Sequence, residues 1–192
     1  MLRKTYDWTM RLAATPHALW ALAAISFIES SVFPIPPDIL LIPMVLARPR
    51  QAWLIAGVCT LSSVAGGFAG YAIGLFLFEA LGRPILDLYG YLDRFTAFQE
   101  LYNAWGAWIV AAGGATPIPY KVITIASGVT QLDPWVFGIA SVLSRGVRFF
   151  LVAALLWAWG EPMRAFIERR LGLLVTLGFA LLLSGFLALK LL

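Results

Sequence analysis

The chain has 192 residues, of which 61% are hydrophobic and only 12% are charged. That composition excludes an ordinary soluble domain and fits an integral membrane protein, a single membrane domain of a few spans. The net charge of +4 is small and spread along the chain, which speaks against a nucleic-acid partner.

Residues 1–16 are a short basic segment with Arg3, Lys4 and Arg11. With the apolar stretch that follows they have the outline of a signal peptide. The apolar run continues through Glu29 without a convincing cleavage site, so a retained segment is expected. Residues 17–33 predict a helix interrupted by Glu29 and stopped by Pro34, Pro36 and Pro37, because the residue before a proline avoids helical geometry. Residues 37–47 are apolar but too few to cross a bilayer. Arg48-Pro49-Arg50-Gln51 is a polar turn. Residues 52–81 are long enough to span with tilt. Residues 82–106 are mixed and amphipathic and predict an external connector. Residues 107–132 are apolar and broken around Pro117 and Pro119. Residues 134–160 can span, residues 161–170 are charged, and residues 171–192 predict a last apolar helix.

Cys59 is the only cysteine and cannot form an intrachain disulfide; in its apolar span it reads as a small core residue. His17 is the only histidine and no metal-ligand cluster exists, so neither metal nor cofactor is expected. Eight tryptophans supply candidates for aromatic belts at two membrane interfaces.

Two of these segments are written alike. Pro34-Ile35-Pro36-Pro37-Asp38 aligns with Pro117-Ile118-Pro119-Tyr120-Lys121 at an offset of 83, which puts Asp38 opposite Lys121. Broken backbone at membrane depth is tolerated only where it lines a cavity or is buried in protein. Paired interruptions in two halves of a membrane chain point to a transporter's binding site. The positive-inside rule gives their directions. Basic residues flank 17–47 on both sides, so this segment should enter and leave from the cytoplasm. The flanks of the second proline segment are net acidic, so it should enter from outside. Arg164, Arg169 and Arg170 return the chain to the cytoplasm. The expected fold is therefore an all-α polytopic membrane protein, an inverted repeat with two opposed re-entrant helical hairpins plus spanning helices. Its first repeat is 17–81 and its second 107–160; 161–192 is a charged turn and helix, and the N-terminus is cytoplasmic. Ser62, Gly66, Gly70 and Gly74 recur every fourth residue and predict a smooth face for close helix packing.

Five ionisable residues fall inside apolar segments: Glu29, Asp38, Lys121, Arg145 and Arg148. Each costs about 2.5–3.5 kcal/mol or more at mid-bilayer when unpaired. Two acids against three cations leave positive charge for an anionic ligand. Arg145 and Arg148 are three apart and share a helix face, so both can aim at one phosphate. Lys121 should meet Asp38 near the midplane, where the two hairpin tips face each other. Glu29 and Asp38 in low dielectric would suit proton uptake and release. Thr116, Thr124, Ser127, Ser30 and Ser31 can hydrogen-bond a headgroup or satisfy broken backbone, the second being the commoner role. The competing reading is structural: Glu29 and Asp38 pair with Arg145 and Lys121 and hold the bundle.

Phe27-Ile28-Glu29 followed by Pro34-Ile35-Pro36-Pro37-Asp38 resembles the first re-entrant motif of the DedA family, in the wider VTT-domain group. The Ser62–Gly74 stretch is similar to the glycine-rich helix that follows. Thr116-Pro117-Ile118-Pro119-Tyr120-Lys121, Gly128 and the Arg145/Arg148 helix resemble the second half. The likeness covers about 27–150 and is closest to the short YqaA-like branch. It implies a transporter or flippase of the bacterial inner membrane; some members recycle the polyprenyl-phosphate carrier with membrane acids and a proton gradient. Glu29 and Asp38 match the family's acidic pair, and Lys121 with Arg145 or Arg148 its basic positions. Where many members carry two arginines, Gly114 and Lys121 stand here.

The function expected from the sequence is transport of an amphipathic anion, a lipid phosphate first of all. Membrane lipids are its partners and protons the candidate coupling ion, and an oligomer is compatible with it. The site comprises Lys121, Arg145, Arg148 and Thr116 for substrate and Glu29 and Asp38 for protons. A non-transporting scaffold is the alternative. An enzyme is not expected, because no activated nucleophile is visible.

Overall fold

The computed structural model describes residues 17–33, 36–115, 119–160 and 162. Among these residues all regular structure is helical, with no strand. The basic segment 1–16, Pro34, Thr116, Pro117 and, apart from Pro162, the segment 161–192 lie outside the described residues.

Helix α1, Ala18–Ser31, is apolar apart from Ser26, Glu29, Ser30 and Ser31. It closes before the prolines with the Val32 and Phe33 amides both donating to the Ile28 carbonyl at 2.9 Å. Helix α2, Asp38–Ala47, opens after Pro37, whose φ of −66° is already helical, and has Asp38 in its first turn. A carboxylate there is favoured by the positive end of the helix dipole. After the turn at Pro49–Gln51 comes α3, Ala52–Leu77, 26 residues and about 39 Å long. A π-helical turn at Phe78–Gly82 leads into the short α4, Arg83–Leu88. Gly90, at φ +67°, supplies a turn that side chains disfavour.

Helix α5 runs Leu92–Ala115 without interruption, through the 106/107 boundary expected between connector and second repeat. Its charges Asp93, Arg94 and Glu100 are exposed, so they interrupt the hydropathy without interrupting the helix. Helix α6, Tyr120–Val129, starts from Pro119, and α7, Pro134–Ala158, is capped by Asp133. The Asp133 carboxylate accepts from the Trp135 and Val136 amides at 2.8 and 3.0 Å, with Pro134 filling the first position.

The directions of the helices follow from which residues touch. Ser26 meets Cys59 and Ser30 meets Ser63, so α1 and α3 are parallel. Asp38 meets Arg148 while Leu46 and Leu156 share a cavity wall, so α2 and α7 are parallel. Ser63 meets Arg145 and Phe68 meets Phe137, so α3 and α7 are antiparallel. In the same way α6 follows α3, and α5 follows α7. Helices α1, α3 and α6 thus run one way, and α2, α5 and α7 the other. Each long helix packs on the first arm of its own half and on the second arm of the other. The apolar core is in two parts: one around Leu22, Leu41, Ile55 and Phe149, the other around Val110, Tyr120 and Phe137.

Three glycines let α3 receive its neighbours. A Cβ on Gly66 would overlap the Phe27 backbone of α1, and one on Gly74 the Ile125 backbone of α6. Gly70 lies against Thr124 and the Ser30 carbonyl. Ser62, at the start of that row, is half-buried, and its neighbour Ser63 is the fully buried one. From α6, a Cβ on Gly128 would overlap the Tyr71 carbonyl oxygen and come within 2.9 Å of the Leu75 amide nitrogen. Backbone cannot step aside as a side chain can. Gly128→Ala is therefore expected to cost about 1–3 kcal/mol, read as a lower unfolding temperature in detergent. Gly57→Ala, where a Cβ meets open space inside a helix, should leave that temperature unchanged or raise it slightly.

Candidate functional site: two arginine–carboxylate pairs

Arg145 and Arg148 lie near the middle of α7, and Ser63 near the middle of α3. The end of α1 and the start of α2 meet them there. Arg145 is 1% exposed, and its Nη2 donates to Glu29 Oε2 at 2.8 Å. Its Nε donates to Ser63 Oγ at 2.7 Å. A guanidinium cannot accept, so Ser63 receives here and keeps its own proton for Ser30 Oγ, 2.7 Å away. Ser30 in turn donates to Glu29 Oε2 at 3.1 Å. The four groups close a ring that ends on the carboxylate. The guanidinium also lies over the Tyr120 ring at 4.8 Å and the Phe149 ring at 4.7 Å, which adds cation–π attraction in a desolvated setting.

The second pair is more open. Arg148 Nη2 donates to Asp38 Oδ2 at 2.7 Å, and the two side chains are 31% and 23% exposed. Arg148 contacts the Phe149 ring more loosely, at 5.7 Å.

The expected meeting of Lys121 with Asp38 is replaced by a different arrangement. Asp38 takes Arg148, and Lys121 Nζ donates to the Val32 carbonyl at 3.2 Å. The reason is geometric: α2 follows α7, which carries Asp38 to Arg148, while α6 begins beside the end of α1 and continues in the same direction along α3. Thr124 reaches the Ser30 carbonyl at 3.2 Å from the same helix. Two side chains of the second half thus satisfy carbonyls that the first proline break leaves without helical donors. The expectation that both arginines face an open anion site without fixed partners also needs correcting, since each has a carboxylate partner. In the structural alternative the Glu29–Arg145 pair stands, and Asp38 pairs with Arg148 instead of Lys121.

Of the hairpin prolines, Pro37 and Pro119 start α2 and α6, and Pro36 is exposed. Ser127 bonds the Tyr102 hydroxyl at 3.1 Å, and Tyr120 donates to Ser141. Ser63, which holds Arg145 in place without facing the open pair, is the residue of this ring that sequence reasoning missed. A signal existed: Ser26 and Ser30 are four apart, as are Cys59 and Ser63, which suits two parallel helices in register.

No family model matches the chain, and no solved structure matches it. An uncharacterized protein of Haemophilus influenzae is 40% identical over 155 residues, covering 81% of this chain and 80% of that protein. An uncharacterized protein of Histophilus somni is 38% identical over 154 residues, 80% of each chain.

Proposed function

The chain belongs to one family with these Haemophilus influenzae and Histophilus somni proteins, and for it we propose transport of an amphipathic anion across the bacterial inner membrane. A lipid phosphate such as a polyprenyl-phosphate carrier is the proposed substrate, and of the two candidate proton carriers, Glu29 and Asp38, the more open Asp38 is the one proposed. The observation that carries this reading is the location of the two pairs: halfway along α3 and α7, in an apolar bundle, where the two proline-broken segments come together. Charges at such depth are costly and mark substrate or proton pathways more often than not.

Several features support a membrane setting. Among the described residues two helical stretches, Pro49–Leu88 and Pro134–Ala158, are long and apolar enough to cross a bilayer. Trp135 and Trp157, both exposed, are separated along α7 by about 33 Å, close to the hydrocarbon thickness. With the helix directions given above, exposed Trp20, Trp53 and Trp159 group with Trp157, and exposed Trp105 and Trp108 group with Trp135. Two opposed aromatic belts suit the two interfaces of a bilayer. Helices α1, α2 and α6 have 14, 10 and 10 residues, about half a bilayer each, as re-entrant arms require.

The inverted repeat is proposed on two observations. The 83-residue offset of the proline motifs carries Ala52–Leu77 onto 135–160, against Pro134–Ala158 for α7, and Asp38–Ala47 onto 121–130, against Tyr120–Val129 for α6. The two halves also run in opposite directions. The DedA resemblance is compatible with this architecture. In this reading Arg48–Gln51 is cytoplasmic. A cysteine at position 50 (Arg50→Cys in a Cys59→Ser background) is expected to react with an impermeant thiol reagent only after the cells are opened; labelling of intact cells would overturn the orientation.

A second reading is favoured by one specific observation: both arginines already have carboxylate partners. A scaffold held by intramembrane ion pairs needs no ligand. Reconstitution separates the two. Transport predicts movement of a fluorescent lipid phosphate between leaflets, faster with a pH gradient than without; a scaffold predicts none above protein-free vesicles.

A further inference from the structure

We infer that the two pairs have different tasks: Arg148 receives the anion by giving up Asp38, while Arg145 is a fixed pin. This rests on the anion-transport reading but concerns binding, which can be measured without flux. Arg145 is 1% exposed, lies over two aromatic rings and has two of its five N–H groups committed to the closed ring with Glu29 and Ser63. A ligand could reach it only by dismantling α1 against α3 and α7. Arg148 is 31% exposed, with one N–H committed to Asp38. In a bilayer, a charge at mid-depth stays partly open only where water or a polar ligand can meet it.

The released carboxylate has somewhere to go. Asp38 is the first residue of α2, at the positive end of the helix dipole, which favours negative charge without a cation even though the Ile39, Leu40 and Leu41 amides already donate to the Pro36 and Pro37 carbonyls. Glu29 has no such alternative, being two residues from the end of α1, where carbonyls are exposed. The exchange is therefore one anion for another on the Arg148 guanidinium, whose fork suits two phosphate oxygens.

The neighbours suit the proposed class of anion. Ile39 next to Asp38, and Val147 and Leu151 beside Arg148, are 54%, 65% and 54% exposed. An inorganic phosphate would have no use for that apolar rim. A phosphomonoester on a hydrocarbon chain could keep the chain in the bilayer along α2 and α7 while its phosphate reaches Arg148. The ligand assigned to this seam is a lipid monophosphate.

Purified full chain in a neutral maltoside detergent is titrated with dodecyl phosphate and, separately, with inorganic phosphate, and heat release gives Kd. Asp38→Asn removes the competing charge and keeps the shape, so dodecyl phosphate should bind about threefold tighter or better. Arg148→Gln should weaken it about tenfold or more. Ser63→Ala loosens Arg145 but keeps both arginines; it should lower the unfolding temperature and leave Kd within about twofold. Unchanged or weaker binding by folded Asp38→Asn would overturn the exchange. Equal loss in Ser63→Ala and Arg148→Gln would overturn the division of tasks. Inorganic phosphate binding as tightly as dodecyl phosphate would overturn the lipid class, and no binding of either by the wild type would overturn the site. Absence of flux would count against transport alone.

Discussion

Arg145→Ala is expected to lower stability by about 3–5 kcal/mol, the largest effect of any single substitution considered, because it strips a largely buried carboxylate of its cation. Glu29 is 15% exposed, and after the change it would keep only the Ser30 hydroxyl of its present partners. Ser63 would lose its donor as well, and the space between the Tyr120 and Phe149 rings would be left unfilled. The measurement is thermal unfolding in detergent, with yield in the membrane fraction as a second readout. Glu29→Gln in the same chain should recover part of the loss, since a neutral amide needs no cation. A double variant as unstable as Arg145→Ala would mean that the cavity, not the stranded charge, sets the cost.

The second large effect is functional. Arg148→Gln is expected to reduce lipid-phosphate movement about tenfold or more while the protein reaches the membrane at near-normal levels. Its stability cost should be smaller than that of Arg145→Ala, because Asp38 is part-exposed and sits at a helix start that tolerates a free carboxylate. Arg148→Lys keeps the charge and loses the fork, and should fall between. Arg145 and Arg148 are three residues apart on one helix, yet their variants should separate: one in the unfolding temperature, the other in flux. Loss of stability of the same size in both would return the pairs to a common structural role.

Much of the helical outline is legible in the sequence, because its signals are local. The prolines before Asp38 and Tyr120 start two short helices, and the polar turn at Arg48–Gln51 and the cap at Asp133 bound the long ones. Continuity of α5 is not legible, because Asp93, Arg94 and Glu100 resemble a connector until they are seen on an exposed face. The five ionisable residues stand out through their cost in an apolar span. Their pairing does not, since Glu29 and Arg145 are 116 positions apart and their meeting depends on how α1 sits against α7. The same holds for Lys121, whose partner is a backbone carbonyl that no side-chain pattern encodes. The spacing of Ser62, Gly66, Gly70 and Gly74 is visible as a row, but only packing distinguishes half-buried Ser62 from Ser63 inside the ring.

The most direct test of the central claim is flux per folded molecule. Wild-type protein and the Arg148→Gln and Asp38→Asn variants would be reconstituted at matched folded amounts into vesicles carrying a fluorescent lipid phosphate in one leaflet. The wild type should show gradient-accelerated movement, Arg148→Gln little, and Asp38→Asn movement insensitive to the pH gradient. Equal movement in all three, or none above protein-free vesicles, would contradict that claim.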